Sequence, residues 1–242
     1  PPEVRCHELL AHLLSDPDPQ VVRAAAIGAG RARQRHLLPQ LLELAGDRLF
    51  RTEAGQALAA FGPEILPELQ RALLDPGLSG TARRNLPRVL SFIGGQRAAE
   101  VLAVCLDQPD LALQYQALRA LSRIRLRQPD VRFESERITP LVIQELRRYY
   151  VYRSALLGVA QDGRQPAGAF LRRALTEQLQ RRLDAVFRLL SLLYPAKDIL
   201  DAYYSISSGR RDLRANALEF LDSTLQNPVR QMLLPVVEDR GA

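Results

Sequence analysis

Apolar positions in the first half of the chain recur at helical spacing in short blocks. Ile65, Leu66, Leu69, Leu73 and Leu74 make one such block, and Val101, Leu102, Cys105 and Leu106 another; residues three and four apart share a helix face. The blocks are punctuated regularly. Gly30, Gly62 and Gly94 follow one another every 32 residues, and Asp16, Asp47, Asp75 and Asp107 come at intervals of 31, 28 and 32. Glycine at a helix end supplies a left-handed residue, while Asp with Pro, as in Asp16-Pro17 and Asp75-Pro76, closes one helix and opens the next. The pattern predicts one antiparallel helix pair per repeat. Ala26, Ala54, Ala57 and Ala117 fall in first helices, where neighbouring units must approach closely. Pro87 interrupts the third first helix, and its missing donor and ring clash predict a kink.

The register changes after Gln128-Pro129-Asp130. A polar stretch over 130–136 leads to Thr139-Pro140, which reads as an N-cap followed by proline at the first helical position. A long helix is expected from there toward Val159, then a loop over 160–166 and a second long helix from about Ala167 to Leu193. Further helices are expected around 198–205, 212–225 and 229–237. The chain therefore divides into regular repeats of about 31 residues over 1–130 and longer, degenerate repeats over 131–242 that continue the same stack.

Composition supports helices. The 242 residues are 47% hydrophobic, with seven Phe, seven Tyr and no Trp, so the core is chiefly Leu, Ala, Val and Ile. That mixture favours an all-α fold over a β-sandwich. Cys6 and Cys105 lie far apart on apolar patterns, which suits reduced, buried thiols in a cytoplasmic protein. Apolar runs such as 189–193 are too short to span a bilayer, and Arg188 interrupts that region. The opening Pro1-Pro2, with Met232 the sole methionine, leads to the expectation of a segment cut from a larger protein.

Val22-Arg23-Ala24-Ala25-Ala26, after Asp16-Pro17-Asp18-Pro19, resembles the first-helix signature of short HEAT-like repeats. The resemblance implies a right-handed α-α superhelix, a HEAT-like repeat solenoid. Tetratricopeptide repeats compete on length, but their Trp, Gly and Tyr positions are absent, as is the Thr-Pro-Leu-His of ankyrin. Phe187-Arg188-Leu189-Leu190, Leu193-Tyr194-Pro195, Asp198-Ile199, Ala215-Asn216-Ala217-Leu218-Glu219 and Leu221-Asp222 resemble a more particular group. They are similar to the HEAT segment of bacterial fusion proteins carrying an ATP/ADP-translocase-like membrane region and often a cyclic-nucleotide-binding domain. This implies a regulatory, transporter-associated appendage, cytoplasmic and tethered to the inner membrane through its parent. It does not carry over transport or nucleotide binding, whose domains have no counterpart in this sequence.

Residues with catalytic potential are few. His7, His12 and His36 all fall in the first units, and Cys6, His7 and His12 match a helical face poorly and lack a fourth ligand, so no metal site is expected. The repeated aspartates read as turn and cap residues rather than paired acids. There is no Gly-rich phosphate loop, zincin helix or nucleophile elbow. No cofactor is expected.

The net charge of +6 is almost wholly arginine, Lys197 being the single lysine, which points first to a GC-rich genome. Nine arginines and four acids lie between Leu141 and Ser191. Arg173, Glu177, Arg181, Asp184 and Arg188 are spaced to neutralise one another along a helix face, each pair contributing about 0.2–0.5 kcal/mol. Arg147, Arg148 and Arg153 have only Glu145 near them in sequence and interleave with Tyr149, Tyr150 and Tyr152. Arg147, Arg148, Tyr149, Tyr152 and Arg153 are therefore the candidate interaction surface, with packing of Tyr149 and Tyr150 as the alternative; Tyr203 and Tyr204 read as core. The expected function is a non-catalytic protein-interaction or regulatory scaffold, its partner a protein or other domains of the parent chain. The second reading is a nucleic-acid-binding or DNA-repair-type helical-repeat protein. A third is an enzyme such as a chromophore lyase, on the shared short repeat alone.

Overall fold

The computed structural model describes residues 9–161, 166–208 and 210–238, which are helical throughout with short connections and contain no strand. The chain divides into two units, Pro1–Val131 and Arg132–Ala242.

In unit 1, residues 9–13 are helical and precede α1 (Pro19–Arg31), α2 (Leu38–Leu44), α3 (Arg51–Ala60), α4 (Leu66–Leu74), α5 (Gly80–Ile93), α6 (Gly95–Ala103) and α7 (Leu111–Arg127). The first helices of the successive pairs pack on one another, α1 on α3, α3 on α5 and α5 on α7, while α4 packs on α6 beside them. The register repeats at intervals of 32, 32 and 31 residues. Val22, Ala54, Leu86 and Ala117 are equivalent, as are Ala25, Ala57, Val89 and Ala120, and Ala26, Leu58, Leu90 and Leu121, and all twelve are buried. Each fully buried Leu contributes about 1.5–3 kcal/mol relative to exposure. Small residues in these rows let the helices approach.

The punctuation works in two ways. Gly62 and Gly94 are left-handed, with φ of 73° and 70°, as their position predicts. Gly30 is not: it lies inside α1, and a Cβ there would stand 2.5 Å from the Ala57 Cα. That glycine serves a helix contact, and Arg33, at φ 49°, takes the left-handed position, with the Gln34 N–H donating to the Ala29 carbonyl at 3.3 Å. Asp16, Asp47 and Asp75 each accept the backbone N–H two residues on, at 2.7–2.8 Å, forming Asx turns. In the fourth repeat the cap is Asp110, which accepts from Ala112 and Leu113. The α5 helix continues on both sides of Pro87, whose side is buried.

Asp110 also holds Arg84 at 3.0 Å. Partial burial pushes its carboxyl up, but the Leu113 N–H and the Arg84 guanidinium outweigh this and leave it below its ordinary value. Such a carboxylate stabilises fully above the unfolded value of about 3.9, and the contribution is lost as pH falls through the folded value. Asp110→Ala is expected to cost about 1–2 kcal/mol in urea unfolding at pH 7. The deficit should shrink near pH 2, where the wild type has lost the same carboxylate; an unchanged deficit there would contradict the assignment.

Cys105 is buried, and burial pushes its thiol up to about 12. In a Cys6→Ser chain, Cys105 should stay unreactive toward a thiol-disulfide reagent at pH 8 until denaturant is added. Rapid labelling without denaturant would refute this.

In unit 2, α8 (Ser135–Gln161) and α9 (Pro166–Leu193) pack along each other, followed by α10 (Ala196–Ser207), α11 (Arg211–Thr224) and α12 (Val229–Glu238). Each packs on the next, and α12 returns to α8. Leu146, Leu183, Val186, Phe187, Leu190 and Leu233 are fully buried, and Phe187 meets Tyr203 at 5.0 Å between ring centroids. The long helix begins four residues before the expected Thr139, because the Glu134 carbonyl already accepts the N–H groups of Arg137 and Ile138. Pro140 consequently lies inside α8. It withholds a donor from the Glu136 carbonyl, and Glu136 is exposed to water. Of the loop expected at 160–166, residues 160 and 161 end α8 and 166 begins α9, while 162–165 lie outside the described residues. Tyr204, expected in the core, is 62% exposed.

Candidate interaction surface

All five candidate residues lie on α8, and the structure places them in four different settings. Tyr149 is buried, edge-on to Tyr150 with centroids 6.2 Å apart. The Tyr150 hydroxyl donates to the Met232 carbonyl at 2.8 Å and so fastens α12 to α8. These two rings pack the unit.

Arg148 and Tyr152 belong to a polar seam between α8 and α9. One Glu145 carboxylate oxygen takes Arg148 at 2.6 Å and the other takes Arg182 of α9 at 2.9 Å. The Arg182 guanidinium lies 5.9 Å from the centre of the Tyr152 ring. Glu145 is thus shared, which its sequence neighbourhood alone did not reveal. Arg153 is half-buried and engaged. Arg147 is exposed and edges a shallow groove along α8 with Thr139, Pro140, Ile143 and Gln144. The charge stripe of α9 resolves into two ion pairs, Arg173 with Glu177 at 3.2 Å and Asp184 with Arg188 at 2.6 Å, while Arg181 is exposed.

A second concentration of charge lies in unit 1, where windowed counting along the sequence did not find it. The first helices α1, α3, α5 and α7 contain ten arginines and one acid, Glu53, whereas α2, α4 and α6 contain two arginines and three glutamates. Helices α5 and α7 carry seven arginines and no acid. Lining up alternate helices in the sequence would have exposed this. Arg88 and Arg127 both lie over the Phe92 ring, 5.8 and 5.9 Å from its centre, and Arg119 lies over Tyr115 at 5.9 Å. Between α3 and α5 a groove is lined by Arg51, Thr52, Gly55, Arg88, Val89 and Phe92.

Cys6 and His7 lie outside the described residues; His12 lies in the short helix before α1, and His36 sits in the turn before α2. Among the described residues, no cluster of three or more His, Cys, Asp or Glu side chains is placed to hold a metal ion. No helix among them is long and apolar enough to cross a membrane. The fold is all-α and compatible with a helical repeat fold. No known family model and no curated protein matches the chain.

Proposed function

We propose that this chain is a HEAT-like α-solenoid that serves as a non-catalytic protein-interaction or regulatory scaffold. It acts within a larger, membrane-linked bacterial protein, on the cytoplasmic side and tethered to the inner membrane through that parent. The observation that carries the reading is the recurrence of buried positions at 32, 32 and 31 residues through four first helices. A repeat of this kind sets exposed positions in equally regular rows, which suits binding along a broad surface. The sequence resemblance carried by the matching residues between Phe187 and Asp222 supports the bacterial, transporter-associated setting.

A second reading, nucleic-acid binding, is favoured by the basic first helices of unit 1. The two separate on titration of the chain with labelled single- and double-stranded DNA and RNA at low and physiological salt. The scaffold reading expects no binding, or weak binding that does not depend on Arg88, Arg119 and Arg127 of the first helices or on Arg147 of α8. Tight, steeply salt-dependent binding lost on changing those arginines to Gln would overturn it.

A further inference from the structure

We infer that the first-helix face of unit 1 is a docking surface for an extended acidic segment of a protein, its carboxylates taken by Arg51, Arg88, Arg119 and Arg127. The inference rests on the scaffold reading and names the chemistry of the partner. All four arginines are exposed, and none forms an ion pair among the described residues. They lie on three successive first helices, Arg51 on α3, Arg88 on α5, and Arg119 and Arg127 on α7. Arg88 and Arg119 occupy equivalent positions of the repeat, so the charge follows the layer rather than a single helix.

Other arginines of this layer are already engaged. Arg84 holds Asp110, Arg23 approaches Glu53 at 3.8 Å, and Arg123 donates to the Ser91 hydroxyl at 2.9 Å. What remains is a set of guanidinium groups held without a carboxylate, and guanidinium pairs most strongly with planar carboxylates in bidentate fashion. The spacing fits an extended chain. Packed helix axes lie about 8–10 Å apart, and one three-residue turn of polyproline II backbone rises about 9 Å and returns to the same face, so acids at every third position meet successive first helices.

A protein segment fits better than a nucleic acid. Stacking of bases needs free aromatic faces, yet Phe92 already has two guanidinium groups over it and Tyr115 has one. The face offers charge at intervals, and its exposed ring, Phe92, is already engaged by two of the guanidinium groups.

The probe is a fluorescein-labelled peptide of four Glu-Ser-Gly repeats, titrated against the whole chain by anisotropy at low salt, beside its Gln-Ser-Gly counterpart. The Glu peptide should bind about tenfold more tightly than the Gln peptide. Arg51→Gln, Arg88→Gln, Arg119→Gln and Arg127→Gln together should remove that preference, while Arg71→Gln with Arg97→Gln, on second helices, should leave it. Melting curves establish that each variant is folded; if the fourfold variant is not, Arg88→Gln with Arg127→Gln is read in its place and should halve the preference or more. Equal binding of the two peptides, or a preference that survives the arginine changes, overturns the inference while leaving the scaffold reading intact. Tighter binding of a single-stranded oligothymidylate at the same arginines overturns both.

Discussion

Alanine at position 30 is expected to destabilise unit 1, although alanine is a better helix former than glycine. Gly30 lies within α1, and an added Cβ would stand 2.5 Å from the Ala57 Cα and 2.9 Å from both its Cβ and its carbonyl oxygen. These are largely backbone contacts, so α1 and α3 must separate instead of one side chain turning aside. Overpacking of this kind costs about 1–3 kcal/mol or more, against a propensity gain of about 1 kcal/mol. The net expectation for Gly30→Ala is a loss of about 1–2 kcal/mol, and for Gly30→Leu a loss of about 4 kcal/mol or failure to fold.

Gly28, two residues away on the same helix, supplies the contrast. A Cβ at Gly28 meets only Leu10 Cδ2, at 3.5 Å. Gly28→Ala should therefore stabilise by roughly 0.5–1 kcal/mol. Urea unfolding of the two single variants beside the wild type decides the matter. Should Gly30→Ala match or exceed Gly28→Ala in stability, the close approach of α1 and α3 is wrong.

This pair of glycines shows how far the sequence could be read. The interval of Gly30, Gly62 and Gly94 marked the repeat, and helix ends such as those near 193 and 225 fell where proline and turn residues placed them. The role of Gly30 did not follow, because a helix-ending glycine and a helix-packing glycine look alike until the neighbouring helix is in place. The start of α8 was misplaced for a similar reason. Thr139-Pro140 is a good local cap signal, but the Glu134 carbonyl closes a turn ahead of it.

The charge pattern was hidden by order along the chain. Counting over contiguous windows emphasised 141–191, where Glu145 and Arg182 neutralise part of the excess across two helices 37 residues apart. In unit 1 the basic helices alternate with mildly acidic ones and with aspartate-rich turns, so a window averages them. Only the layering of first helices gathers the arginines on one side.

Removing the Glu145 carboxylate is expected to cost about 2–3 kcal/mol in unit 2 and to do so through α9 as much as α8. Side-chain exposure is 12% for Glu145 and 16% for Arg182, and the Arg182 Nε has no hydrogen-bond partner. Glu145→Ala would leave a largely desolvated guanidinium without its counter-charge, and breaking a fully buried pair in this way costs about 3–5 kcal/mol. The lower figure reflects Arg148, which at 37% exposure can turn to water. Replacing both members by apolar residues behaves differently, since the desolvation of the charges then disappears with their attraction. Glu145→Leu with Arg182→Met should therefore recover most of the loss, and Tyr152 would pack on the methionine where it now faces the guanidinium. Thermal unfolding of Glu145→Leu, Arg182→Met and the double variant measures the coupling, with Glu145→Ala beside them for the loss itself. Additive losses would mean that the seam is a solvated surface contact, and Arg148 and Tyr152 would then be as available to a partner as Arg147.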